Sequence, residues 1–179
     1  MNPPSEQEYD FIGYLERLVI REDRGALAAL RRGLGSKPGT AIATYPYVVP
    51  FLTSVHSAWE EATYFTIASL FAYWHQGRNT VAANPPENLG ASFARLASEV
   101  QSNSIEQRFT ALLNSHRDDL PVHLRHAVGL LKSREISINW RQLLRHLRYW
   151  DHEDQFVQRT WAKSFWVPPQ GGKKQLDHQ

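Results

Sequence analysis

Apolar residues return along this chain at spacings of three and four, the period that sets one side of an α-helix against a core. Phe11, Tyr14, Leu15 and Leu18 share a face of a helix predicted over 6–20, opened by Ser5 and Glu8 at capping-box spacing. Asp23 is placed to cap a second helix running through Leu30 to Arg32, with Gly33 and Gly35 as its stop. Residues 44–51 hold Pro46 and Pro50, each suited to a first turn and neither to a helix interior, which predicts short, broken helix. Ser57 caps a long helix to about His75, rich in Trp59, Tyr64, Phe65, Phe71, Tyr73 and Trp74.

The run from Gly77 to Asn88 loses this period and carries Pro85 and Pro86, so it reads as the internal linker. Beyond it, Asn88 caps a short helix bearing Leu89, Phe93 and Leu96. Ser104 and Gln107 form a capping-box spacing ahead of Ile105, Phe109, Leu112 and Leu113. Asp119 precedes Pro121 at the start of a helix to about Lys132, with Leu120, Leu124, Val128 and Leu131 inward. Asn139 starts the next, to Trp150, and Asp151 introduces a last helix to about Trp166. No alternating pattern of useful length suggests a strand, and no repeat of solenoid length is present. The expected fold is all-α, a bundle of about eight or nine helices in two packed helical subdomains. Its parts are 1–78, a linker over 79–87, 88–166, and a disordered tail over 167–179.

Composition narrows the function. The chain has 179 residues, no cysteine and no apolar run of transmembrane length, which removes disulfides, thiolate metal sites and a cysteine nucleophile. The start, with neither a basic nor an apolar region of signal-peptide type, predicts a cytoplasmic protein. Net charge is only +2, but it is unevenly spread. Residues 1–16 carry Glu6, Glu8, Asp10 and Glu16 with no basic residue, whereas 120–150 set Arg125, Lys132, Arg134, Arg141, Arg145 and Arg148 against Glu135 alone. Arginine outnumbers lysine 15 to 5, a ratio that suits phosphate recognition and that codon bias also produces. A polyanion-facing surface in the C-terminal half is the expectation.

On the helix from Asn139 to Trp150, Trp140, Leu143, Leu144, Leu147 and Trp150 share the core face, and Arg141, Arg145 and Arg148 form one stripe beside it. No acid lies within this stretch to relieve their repulsion at i,i+4, so phosphates are one way to make the stripe tolerable. A solvated flank whose arginine stems cover apolar surface is the other. Arg31 and Arg32 sit at a helix C-terminus, where the dipole favours cations in any case. Arg108, Arg117 and Arg125 lie on successive helices or their junctions. The tryptophans sit at helical spacing with Leu and Phe and read as core rather than base-stacking platforms.

Catalysis finds little support. His123 and His126 have a metal-compatible spacing without a completing carboxylate, and the other histidines are scattered. The paired acids Glu60–Glu61 and Asp118–Asp119 are sequence neighbours that point apart on a helix. No phosphate-cradling loop, zinc-protease motif or nucleophile elbow occurs. The reading is a protein without enzymatic activity, cofactor, metal or small-molecule substrate.

The order of motifs adds a family. LeuArgArgGly (30–33) precedes a Tyr/Pro/Phe-rich stretch, a long aromatic helix and a proline-containing linker. AsnLeuGlyAlaSerPhe (88–93), GluGlnArgPheThrAlaLeuLeu (106–113) and LeuProValHisLeuArgHisAlaValGlyLeuLeu (120–131) follow. IleAsnTrpArgGlnLeuLeuArgHisLeuArgTyrTrp (138–150) and a TrpAlaXaaXaaPheTrp ending (161–166) close the series. From about 8 to 166 the chain resembles the CasB family, the small subunit of the type I-E CRISPR surveillance complex, Cascade. The resemblance implies two helical subdomains and two copies stacked head to tail against the backbone subunits, with the large subunit, CRISPR RNA and target DNA as further partners. It implies a role in holding the guide–target hybrid and the displaced strand, with no catalytic site. It carries basic positions onto Arg32, with Arg31 beside it, Arg108 and Arg125. Some relatives are basic just after the position of Trp150, where this chain has Asp151, His152, Glu153 and Asp154. A helix-turn-helix DNA-binding regulator is the alternative from another class, and a scaffold without nucleic-acid contact is the third.

Overall fold

A computed structural model describes residues 6–167, with side chains from residue 10 onward. Among these residues there are nine α-helices and no strand, so the all-α expectation holds. They are α1 (Glu6–Ile20), α2 (Arg24–Arg31), α3 (Tyr45–Val48), α4 (Ala58–Trp74), α5 (Leu89–Val100), α6 (Asn103–Leu113), α7 (Leu120–Ser133), α8 (Trp140–Arg148) and α9 (Phe156–Trp166). The Ser5–Glu8 box and the tail from 168 onward lie outside the described residues.

Local chemistry sets most helix starts. The side chains of Asp23, Ser57, Asn88 and Asn139 accept from the backbone N–H three residues on, at Ala26, Glu60, Ala91 and Gln142. Two starts differ from expectation. Helix α6 is capped by Ser102, whose Oγ accepts from the Ser104 N–H and lies 2.9 Å from the Ser104 hydroxyl, so Ser104 is inside the first turn. Asp151 does not open α9: residues 151–155 turn, and the helix begins after Gln155, which is left-handed at φ 47°. The stretch 42–51 is the expected broken helix, with α3 between short 3-10 turns at Ile42–Thr44 and Val49–Phe51.

Helix α4 is central. From Thr63 to Trp74 almost every side chain is buried, because α2, α7 and α8 pack around it. Helix α1 crosses α8 and α2, and α5 lies along α9 and against α6. The α5–α9 crossing is close enough that a Cβ at Gly90 would run into the backbone carbonyl of Trp161. The tryptophans tie distant segments together through their indole N–H groups. Trp59 donates to the Leu147 carbonyl at 2.9 Å, Trp74 to that of Ile136 at 3.2 Å and Trp150 to that of Ser115 at 3.1 Å. One apolar cluster runs from Phe11 to Phe165 through both sides of the linker. The elements after residue 88 are therefore not an appendage: α7 and α8 complete the wall around α4.

Candidate nucleic-acid interface

The arginine stripe of α8 is held differently from its neighbours. Arg141 makes a two-pronged pair with Glu16 of α1, Nη1 to Oε1 at 2.7 Å and Nη2 to Oε2 at 2.6 Å. Arg148 pairs with Glu60 of α4. The repulsion along the stripe is relieved by acids on other helices, which i,i+4 counting along α8 does not detect. Arg145 has no ion pair or hydrogen bond among the described residues; its charge instead disfavours protonation of buried His146.

Arg31, Arg32, Arg108 and Arg125 likewise have no ion pair among the described residues, and the last three are exposed. Arg32 is the C-cap of α2, its N–H directed at the carbonyls of Ala29 and Leu30. Arg125, on α7, reaches the loop that follows: a Cβ at Gly35 would sit 2.9 Å from its Nη1. The fold thus brings Arg125 to the segment beginning at Arg32, across 90 residues of chain. Arg108 stands alone on the outer side of α6.

Around Arg31 the fold gathers cations that the sequence reading did not join to it, with Arg24 and Arg78 not singled out at all. Arg24, Arg31 and Arg78 line a groove of about 460 Å³ between α2 and the turn after α4. Arg78 Nη1 donates to the Trp74 carbonyl at 2.7 Å, its guanidinium lies over the Trp74 ring, and Glu135 is 3.8 Å away. Lys132 Nζ donates to the Tyr73 carbonyl at 2.7 Å and sits over the Tyr73 ring. Burial, then the charges of Arg78 and Arg31, hold the Lys132 ammonium below its ordinary pKa. Arg78 from the turn after α4 and Lys132 from the last turn of α7 both place their charge at the C-terminal carbonyls of α4, where the helix dipole welcomes it. The available signal was Arg78 as the lone cation of the linker run, directly after the glycine that stops the helix.

Elsewhere, Asp151 pairs with Arg117 at 3.1 Å, while Glu153 and Asp154 are exposed, so the surface just after Trp150 is acidic as the sequence suggests. Most aromatic candidates are buried or half-buried, and Trp166 is the exposed tryptophan at 47%. Among the described residues no group of three His, Cys, Asp or Glu side chains is placed to hold a metal ion, and no helix is long and apolar enough to cross a membrane.

With this geometry in view, residues 26–166 match the family described as CRISPR-associated protein Cse2. The chain belongs to the Cse2 family. It is 32% identical to the CRISPR-associated protein Cse2 of Thermus thermophilus over 160 residues, 87% of this chain and 88% of that one. Its fold is similar to the crystal structure of CasB from M. ruber, with a TM-score of 0.75, 32% identity and coverage of 91% and 94% of the two chains. It is also similar to a chain of a CRISPR RNA-guided surveillance complex, with a TM-score of 0.73, 26% identity and coverage of 89% and 91%.

Proposed function

We propose that this chain is the small, non-catalytic subunit of a type I-E CRISPR RNA-guided surveillance complex. In this reading it acts in the cytoplasm beside the backbone and large subunits and a second copy of itself. Its arginines contact the nucleic-acid backbone and so help keep guide and target paired and the displaced strand in its path. The observation that carries this is the near full-length likeness to a chain of such a complex. Backbone contacts suit the task, because guide pairing reads the sequence and strand exchange is close to balanced, so modest protein contacts tip it.

The local structure supports a division of labour among the candidate arginines. Arg32, Arg108 and Arg125 are exposed without ion pairs among the described residues and remain available to phosphate. Arg31 adds charge beside Arg78. Arg141 and Arg148 join helices first, and Arg145 is a half-buried flank between them. The helix-turn-helix reading is disfavoured by the same facts. Its recognition helix would be α8, whose Trp140, Leu143, Leu144 and Leu147 are buried.

The test is a salt-resolved titration of two unrelated sequences, as single strands and duplexes, comparing wild type with the Arg32→Glu, Arg108→Glu, Arg125→Glu triple variant. Sequence-blind binding is expected, with a log–log salt slope of about −3.5 on single strands for some five phosphate contacts. The triple variant should lose most of it. Strong sequence preference, or binding indifferent to salt, would reject the reading.

A further inference from the structure

The loop after α2 does more than present Arg125 with a neighbour. Residues 33–39 arch away from α4 and α7 and leave a cavity of about 340 Å³, a volume at the small end of organic-ligand sites. The arch is held open from its own backbone. Gly35 and Gly39 have φ of 79° and 80°, and the Gly39 carbonyl accepts from the Tyr45 hydroxyl at 2.8 Å. The Lys37 carbonyl accepts from the Thr40 hydroxyl at 2.7 Å. Gly33 passes so near α4 that a Cβ there would strike the Ser69 hydroxyl, and Gly39 lies on the Phe65 ring. The cavity is therefore preformed rather than opened by a ligand.

Its chemistry is mixed in a particular way. Leu34, Pro38, Phe65 and Val122 supply apolar walls. Ser69 lies in the wall at 5% exposure, and its hydroxyl has no hydrogen-bond partner among the described residues. That hydroxyl stays open to the cavity and can donate to or accept from a polar edge that enters it. Lys37, Arg125 and His126 stand at the rim. The one acid there, Asp118, is already beside His116 at 3.6 Å and Arg117 at 3.9 Å. Apolar walls, one open hydrogen-bonding group at depth and cations outside match a nucleotide: a flat base inside, its phosphate on the rim.

We propose that this cavity receives a single everted base of a strand tracked by Arg125 and Lys37. The inference rests on the strand-contact reading above and specifies where a base, not only the backbone, is held. An apolar side chain of a protein neighbour would fill the walls but would leave the rim charge and Ser69 unanswered.

The experiment measures affinity of the full chain at low salt for a thymine 12-mer, the same strand made wholly abasic, and free thymidine monophosphate. Wild type is compared with Val122→Trp, which fills the cavity from a 58% exposed position, and with Ser69→Ala. Circular dichroism confirms that both variants are folded. The thymine strand is expected to bind wild type about ten-fold more tightly than the abasic strand. Val122→Trp should bind both at the abasic level with the wild-type salt slope, and Ser69→Ala should fall between. Equal affinity of wild type for the two strands, or a base preference kept by Val122→Trp, overturns the cavity site and leaves the backbone reading standing. Free nucleotide binding as tight as the strand overturns the strand as source. No binding to either strand overturns both readings.

Discussion

His75 and His146 are both almost sealed from solvent, at 2% and 1% exposure, and burial favours the neutral form of each, against the Phe71 hydrogen bond in the case of His75. His146 Nδ1 accepts from the Trp161 indole at 2.7 Å, so the neutral ring's proton is on Nε2, 2.7 Å from Gln142 Nε2; two donors cannot face each other, so the Gln142 amide must turn to present its oxygen. His75 Nδ1–H donates to the Phe71 carbonyl at 2.9 Å, with the Phe71, Trp74 and Trp140 rings around it. Burial lowers both pKa values from 6.5 to about 4. A lowered folded-state pKa means that the unfolded chain binds more protons between pH 6.5 and 4. Stability is therefore full above about pH 7, falls as pH drops through that window, and levels off below 4. The expected loss is up to about 3 kcal/mol per histidine, read from urea midpoints across the pH series. Midpoints unchanged between pH 7 and 4.5 would contradict it. From the sequence these two histidines were indistinguishable from the exposed ones, since no local pattern marks either as buried.

Helices show what neighbouring residues can and cannot decide. Caps at Asp23, Ser57, Asn88 and Asn139 were legible because acceptor and N–H are three residues apart and nothing further is needed. Where two hydroxyls compete, as at Ser102 and Ser104, spacing alone chose the wrong one. Helix pairing lies beyond local spacing altogether, and the α5–α9 crossing illustrates it. Gly90 falls inside a helix, where glycine costs stability, yet the Trp161 backbone occupies the place of a side chain. Gly90→Ala should lower stability by about 1–3 kcal/mol despite its better helix propensity, measured by thermal or urea unfolding. A stabilised variant would mean that the two helices separate more easily than the packing indicates.

For the molecule as a whole, the question is how the parts either side of the linker are related. We propose that 1–78 and 88–166 are two helical subdomains sharing one core, joined over 79–87. Trp59 and Trp74 on α4 donate to Leu147 and Ile136, and the apolar cluster is continuous across the boundary. Unfolding followed by tryptophan fluorescence and by far-ultraviolet circular dichroism should therefore give coincident transitions. Separate midpoints would show that the subdomains unfold independently. The paired charges obey the same long-range logic: Glu16 and Glu60 reach Arg141 and Arg148 from other helices.

Taken alone, the sequence determined the helical class, most helix starts, the broken stretch around Pro46 and Pro50, and the family, because each rests on residues close in the chain or on the order of motifs. It also singled out the arginines. Tertiary structure alone decided that Arg141 and Arg148 have acid partners, that Arg125 meets the loop after Arg32, and that Arg78 and Lys132 gather near Arg31. The physical reason is range. Hydrogen bonds within a turn are specified by a few adjacent residues, whereas charge pairing and cavity walls depend on which distant helices the apolar core has brought side by side.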